Sequence, residues 1–364
     1  MFNILKVKKV ITVVGARPQF IKLAALSPHL RKYFLEVIVH TGQHYDNDLS
    51  EKFFNELDIP IPDYNLDIGS GTPGFQIGNM IIKLEEVFLK EKPSCIIVFG
   101  DTNSTAAAAI VAAKLNIKLA HIEAGLREFD KSIPEETNKL ITDILTDFYF
   151  CPTITGVEIL KSMGITTNVY NVGDVMIDLI EQNRLKIENE KHILTELNLN
   201  VKDYVLVTFH RASNTDNVEN LKEILNALNS IKNKIIFPIH PRTLSTIQKL
   251  GLLHLIKSEN ILLSKPLGYF ATQTLIHYAK YILTDSGGVT KEAYYHRTQA
   301  ILLDKQTEWV ETLEEGWNIQ AGPNCSNILY AINHLKTPKY QSSFLGNGDA
   351  SLKISKILFE NLHN

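Results

Sequence analysis

Cysteine is scarce in this chain: Cys95, Cys151 and Cys325 are the only three among 364 residues. They are far apart, odd in number and without metal-ligand spacing, which argues against a disulfide framework or a zinc module. Cys95 and Cys151 fall in apolar runs, so the thiols are expected to be buried in a protein of a reducing compartment. Charge of one sign is also missing. With 37 Lys and Arg against 40 Asp and Glu, the formal net charge is -3, which leaves no electrostatic reason to expect nucleic acid. The apolar run after Lys6, Lys8 and Lys9 is too short for membrane insertion and reaches Arg17 without a small-residue cleavage site. A cytoplasmic location is therefore expected. HExxH, a CxxC cluster and a nucleophile elbow are absent, so neither metal, cofactor nor covalent enzyme intermediate is expected.

What the chain does have is alternation. Short β-branched runs at Val10–Val14, Val37–His40, Ile96–Phe99, Leu119–Ile122, Phe148–Cys151 and Val169–Val172 read as strands. Helical patterns such as Gln19–Leu30, Thr105–Leu115 and Glu135–Leu145 separate them. The pattern restarts with Tyr204–Thr208, Ile235–Ile239, Ile261–Leu263, Tyr281–Leu283 and Ala300–Leu303. Two βα series predict an α/β protein of two doubly wound parallel sheets with helices on both faces. The domains are expected at 1–177 and 178–349, joined through the charged, helix-favouring stretch Asp178–Lys202, with a terminal amphipathic helix within 350–364.

Ligands of such sheets bind at the carboxyl ends of the strands, so the residues after each run carry the functional information. The first run leads into Gly15-Ala16-Arg17-Pro18-Gln19-Phe20-Ile21-Lys22, where Arg17 and Lys22 face or flank a cleft. That turn lacks GxGxxG, which weakens a dehydrogenase reading. The second run ends in Thr41-Gly42-Gln43-His44, and the third in Gly100-Asp101-Thr102-Asn103-Ser104-Thr105. Asp101 either faces a ligand or caps the following helix. The fourth ends in His121-Ile122-Glu123-Ala124-Gly125-Leu126-Arg127. Glu135 and Glu136 have a ready explanation as first-turn acids favouring a helix dipole, whereas Glu123 follows an apolar strand directly and has none.

The second half adds Phe209-His210-Arg211, Ile239-His240-Pro241-Arg242 and Thr284-Asp285-Ser286-Gly287-Gly288. Paired glycines at a helix start let a backbone approach an anion, and with the two His-Arg pairs they make a wall suited to a diphosphate. Glu292, one turn into that helix, is placed to accept hydrogen bonds from hydroxyls such as those of a ribose. Asp101, Glu123 and Glu135 face this wall if the two domains close. A diphosphate leaving group opposite carboxylates describes carbon–oxygen cleavage with proton transfer.

These blocks, in this order, resemble those of the UDP-N-acetylglucosamine 2-epimerases over nearly the whole chain. The resemblance implies two Rossmann-like domains in a GT-B-type arrangement with the active site in the cleft between them, a UDP-sugar substrate, a homodimer, and a terminal helix packing back on the first domain. It implies inversion at C2 by elimination of UDP to a 2-acetamidoglucal and re-addition of UDP. Position by position, Asp101, Glu123 and Glu135 match the family's catalytic carboxylates and His210 its catalytic histidine. Arg17 matches a residue near the uracil, Ser286, Gly287 and Gly288 the phosphate cradle, and Glu292 the ribose ligand. Lys22 and Arg211 complete the expected substrate-binding set. Gln43, Glu136 and His240 match positions that bind a second, activating UDP-sugar in some members.

The chain also departs from the pattern. Ser213 stands where the family often has Glu, and Lys139 where it has Arg, which changes any ion pair there because Lys lacks the bidentate fork. Thr307-Glu308-Trp309-Val310-Glu311 resembles the form found in a subgroup that includes the UDP-2,3-diacetamido-2,3-dideoxyglucuronate 2-epimerases, although Asp304 replaces that subgroup's usual Arg. The alternatives are that diacetamido epimerase, a hydrolysing relative, whose first motif usually reads Gly-Thr-Arg-Ala-Asp/Glu, a sugar-nucleotide-binding protein without catalysis, and a glycosyltransferase on the same fold.

Overall fold

Successive residues of a strand point to opposite faces of its sheet, so a strand whose every side chain is apolar needs cover on both sides. That condition is met throughout the computed structural model, which describes residues 7–42, 54–256 and 259–363. Strand β1 (Lys9–Val14) buries every residue after Lys9, and β4 (Cys95–Phe99) buries all of its residues. Ile11 and Val13 pack with Met80, Leu84 and Phe88 of helix Pro73–Glu91 and with Ala107, Ala108 and Val111 of helix Asn103–Lys114.

The chain divides into two compact units, Met1–Gln182 with Ser343–Asn364, and Asn183–Ser342. The first holds a seven-stranded sheet, also containing β2 (Leu35–His40), β3 (Tyr64–Asn65), β5 (Lys118–Ile122), β6 (Phe148–Cys151) and β7 (Val169–Asn171). Its order is β3-β2-β1-β4-β5-β6-β7, and every pairing is parallel. The second holds β8 (Tyr204–Thr208), β9 (Lys234–Pro238), β10 (Ile261–Ser264), β11 (Tyr281–Thr284), β12 (Ala300–Leu302) and β13 (Asn318–Gln320). Its order is β10-β9-β8-β11-β12-β13, again wholly parallel. Val205 and Val207 of β8 meet Leu221, Ile224 and Leu228 of helix Val218–Ser230, while Tyr204 and Leu206 meet Leu275 and Ile276 of helix Tyr269–Tyr278 on the other face. Both sheets are therefore doubly wound.

Strands β3 and β13 are additional to the sequence reading. Both are short edge strands, and Tyr64-Asn65 and Asn318-Ile319-Gln320 carry too few apolar residues to register as a run. A GxGxxG spelling at Gly69–Gly74 leads into helix Pro73–Glu91 after edge strand β3, two strands away from β1 in the sheet order. The expectation that every thiol is buried fails at Cys325, which is half-buried because it opens a surface helix, Cys325–Asn333, instead of lying in a strand. Cys95 and Cys151 are buried, and burial pushes both thiols up.

The terminal helix, Ala350–His363, belongs to the first unit. Its first amides, Ala350 N and Ser351 N, donate to the buried Asp178 carboxylate at 3.1 and 2.5 Å, and the Phe359 ring lies 5.1 Å from that of Tyr33.

One histidine of the second unit couples its stability to pH. Burial pushes His296 down to about 3, with the charges of His277, Lys202 and Arg184 acting in the same direction, and its Nε2 lies 2.9 Å from Gln273 Oε1. The folded value lies below the unfolded one of 6.5, so this contribution is full above pH 6.5 and is lost as pH falls toward 3. Between pH 8 and 5 it amounts to about 1–2 kcal/mol. Urea titrations should give His296→Gln a shallower loss of stability than the parent over that interval; parallel losses would contradict the assignment.

Candidate active site

The strand order reverses at β1/β4 in the first unit and at β8/β11 in the second, the places where an open α/β sheet leaves a crevice at its carboxyl edge. In each unit a buried polar side chain staples the two flanking loops.

In the first unit that side chain is Gln19, which is 1% exposed. Its Oε1 accepts from Gly15 N at 2.8 Å and Ala16 N at 3.1 Å, and its Nε2 faces Phe99 O, Thr102 Oγ1 and Thr105 Oγ1 at 2.9, 3.0 and 3.0 Å. Gly15 is required here, because a Cβ would collide with the hydrogen-bonded hydroxyls of Thr41 and Ser104. Thr102 caps helix Asn103–Lys114 by accepting from Thr105 N, so Asp101, just before it, is not the cap. The Asp101 carboxylate is one-third exposed and lies 3.6 Å from the buried ammonium of Lys139, which also lies 3.5 Å from Glu128. Lys139 thus faces two carboxylates by charge, without a fork.

Glu123 directly follows β5 with φ of 72°. A non-glycine residue in this left-handed region costs about 1–2 kcal/mol, and an outlier of this kind suggests a functional constraint. Its carboxylate is ion-paired with Lys22, which helix Arg17–Leu30 supplies, and the two side chains are 12% and 7% exposed. Gly100, at φ 57°, lies beneath this pair, and a Cβ there would sit 3.2 Å from Glu123 Oε2 and 3.4 Å from Lys22 Nζ. Arg17 is exposed at the start of its helix, and Glu135 is exposed in the first turn of helix Pro134–Leu145. Glu136 is turned inward, 2% exposed, with Oε2 accepting from Glu128 N at 2.9 Å. Gln43 lies outside the described residues.

A buried network missing from the sequence reading supports these loops. Asp143 accepts from His121 Nδ1 and Arg127 Nη2, each at 2.6 Å, while His121 Nε2 lies 2.8 Å from Gly100 O. Burial works against the Asp143 charge, and the His121 and Arg127 interactions outweigh it, holding the carboxyl below its ordinary value.

In the second unit the staple is Asp285, which is 3% exposed. Its carboxylate accepts from His210 N at 3.1 Å, Arg211 N at 2.9 Å and Asn214 Nδ2 at 3.0 Å, joining the loops after β8 and β11. Ser286 caps helix Gly287–Tyr295, and Ser286, Gly287 and Gly288 are partly exposed at its amino end, where amides and dipole favour an anion. Exposed His210 lies with its ring 6.3 Å from that of His240, which caps helix Pro241–Lys249 through Nδ1 and Arg242 N. Arg211 pairs with Asp304 at 2.9 Å, so the departure at position 304 supplies a partner for a residue of the cradle wall. Glu292 is buried, 4% exposed, in the second turn of the cradle helix. Trp309 is buried under the cradle, its Nε1 3.4 Å from where a Gly287 Cβ would stand, and Lys291 Nζ lies 4.2 Å from its ring centroid.

Among the described residues no group of three or more His, Cys, Asp or Glu is placed to hold a metal ion, and no helix is long and apolar enough to cross a membrane. The first unit offers the Asp101 and Glu123 carboxylates beside buried lysines, a set able to move protons, and the second offers an amide-rich anion cradle with a histidine and an arginine, able to bind a phosphorylated group.

Comparison with known proteins narrows this chemistry. The family model described as UDP-N-acetylglucosamine 2-epimerase matches residues 29–359. A Methanococcus maripaludis protein described as a UDP-N-acetylglucosamine 2-epimerase homolog is 50% identical over 354 residues, covering 96% of this chain and 99% of the relative. The Pseudomonas aeruginosa UDP-2,3-diacetamido-2,3-dideoxy-D-glucuronate 2-epimerase is 40% identical over 361 residues, covering 96% and 99%. The crystal structure of Methanocaldococcus jannaschii UDP-GlcNAc 2-epimerase in complex with UDP-GlcNAc and UDP superposes with a TM-score of 0.91 at 40% identity, over 97% of this chain and 99% of that one. With the family model spanning most of its length and such relatives matching nearly end to end, the chain belongs to the UDP-N-acetylglucosamine 2-epimerase family.

Proposed function

We propose that this chain is a non-hydrolysing 2-epimerase that interconverts UDP-N-acetylglucosamine and UDP-N-acetylmannosamine. The observation that carries the reading is Glu123, held in a left-handed backbone at the end of β5 and ion-paired with Lys22, beside an Asp101 that does not cap its helix. In this reading Asp101, Glu123 and Glu135 serve proton transfer at C2. A base removes the C2 proton, the electron pair forms the C1–C2 double bond, and the C1–O bond breaks to release UDP and the glycal. UDP then adds back to C1 as a proton is delivered to the opposite face of C2, so no net proton or redox equivalent is consumed. Ser286, Gly287, Gly288 and Arg211 hold the diphosphate, His210 stands beside it, Glu292 binds the ribose, Arg17 lies near the uracil, and Lys22 holds Glu123. The typical gain from general acid–base catalysis is about 10²–10⁴-fold, so stabilisation of departing UDP by the cradle supplies the remainder.

The diacetamidoglucuronate nucleotide is the second reading, favoured by Thr307-Glu308-Trp309-Val310-Glu311 and by the 40% identical Pseudomonas enzyme. Because Trp309 and Glu308 abut Gly287, that segment belongs to the cradle. Anion-exchange chromatography of reactions with each nucleotide distinguishes the readings: a UDP-linked C2 epimer is expected, and free sugar with UDP would instead establish hydrolysis. Gln43, Glu136 and His240 are assigned to a second, activating UDP-sugar, which would appear as acceleration by added substrate nucleotide. Exposed Phe75, Ile82 and Leu89, each seven residues apart on helix Pro73–Glu91, support a homodimer, measurable by light scattering. The buried, unbridged Cys95 and Cys151 support a cytoplasmic location.

A further inference from the structure

Helix Pro134–Leu145 buries its charged face. Glu136, Lys139 and Asp143, spaced i, i+3 and i+7, are 2%, 5% and 0% exposed, whereas Ile144 is 65% exposed. An amphipathic helix packed for stability alone would be turned the other way. Asp143 is the most deeply buried of the three. Besides His121 and Arg127, its carboxylate accepts from Gly125 N at 3.2 Å. Through His121 it reaches the carbonyl of Gly100, the residue just before Asp101, and His121 and Gly125 stand two residues to either side of Glu123. Gly100, Glu123 and Gly125 have φ of 57°, 72° and 82°, and of the three only Glu123 carries a side chain that this left-handed region strains. A local conformation of this kind persists only where the surroundings over-determine it. Glu123 N and Ala124 N both donate to Phe150 O, at 3.0 and 3.1 Å, and Asp143 holds the turn on either side of that contact.

We infer that Asp143 is a positioning residue for proton transfer at C2: through His121 and Gly100, and through Gly125, it fixes the two turns that aim the Asp101 and Glu123 carboxylates. This inference rests on the assignment of those two carboxylates in the proposed function. Asp143→Asn preserves size while placing an amide nitrogen against one of the donors. A small misplacement of a catalytic group can cost about 10²-fold, so kcat for C2 exchange is expected to fall about 10–100-fold. KM and the affinity for UDP should stay within about threefold, because the cradle is carried by other loops.

Because Asp143 acts through both carboxylates, Asp143→Asn should slow exchange by a smaller factor in the Glu123→Gln background than in the parent. Wild-type kcat in folded Asp143→Asn overturns the inference, as does a fully multiplicative loss in the double variant. Tyr149→Phe removes the hydroxyl donated to the Asp143 backbone carbonyl at 2.9 Å and leaves the carboxylate untouched. It should lower stability with kcat unchanged, and a kcat loss equal to that of Asp143→Asn would assign the effect to packing. If Asp143→Asn does not accumulate folded, His121→Phe, which keeps the Asp143–Arg127 pair, carries the same expectation and the same refutation. Full exchange in Glu123→Gln alone contradicts the Glu123 assignment rather than the role of Asp143, which the cycle with Asp101→Asn then tests.

Discussion

Glu123→Gln is expected to slow C2 proton exchange by about 10²–10⁴-fold while the affinity for UDP changes by less than about threefold. Gln matches Glu in size and tolerates the same backbone, so Gly100 still fits beneath it. What disappears is the charge that pairs with Lys22 and the ability to accept a proton. The cradle at Ser286–Gly288 belongs to the other unit's sheet and is untouched. Asp101→Asn should behave similarly, removing the carboxylate charge that faces Lys139. Isothermal titration with UDP and exchange followed by NMR separate the two effects. Exchange at the parent rate in either variant would remove that residue from the mechanism.

Asp285→Ala should do the opposite, weakening UDP binding by at least about tenfold and destabilising the fold by about 2–4 kcal/mol. The carboxylate satisfies the amides of His210 and Arg211 and the side chain of Asn214, and alanine leaves those donors without it. Each buried donor left unsatisfied costs about 1–3 kcal/mol, and the loops after β8 and β11 lose their shared anchor. Urea denaturation and UDP titration read the two consequences separately. Unchanged affinity would mean that the cradle keeps its shape without the staple, contrary to this account.

Both results turn on residues whose importance is unequally visible in the sequence. The alternation of β-branched runs with helical patterns places Asp101 after β4, Glu123 after β5, His210 after β8 and Ser286–Gly288 after β11, because strand and helix periods are local properties of the chain. Turn chemistry is also local, and Gly15 and Gly100 lie in turns where backbone or packing excludes a side chain. The partners of the site residues are not local. Asp143 reaches His121 across 22 positions and Asp285 reaches His210 across 75, and no periodicity encodes either contact. The pairing of Arg211 with Asp304 spans the loops of two strands in the same way. One signal was available: Glu136, Lys139 and Asp143 form a charged stripe at helical spacing on a helix whose Ile144 faces outward. A charged stripe is usually a solvated face, and only the fold reveals that this one is buried. The cap of helix Asn103–Lys114 shows a limit of another kind, since Asp101 and Thr102 are both good caps and choosing between them requires the backbone angles of Thr102.

The central claim is reversible removal of the C2 proton with UDP retained in the product, and it is tested most directly by proton NMR of the protein with UDP-N-acetylglucosamine in D₂O. The account predicts loss of the C2 proton signal, deuterium at C2 and the anomeric signal of the UDP-linked mannosamine epimer. An epimer that keeps protium at C2, or free sugar accumulating with UDP, would contradict it.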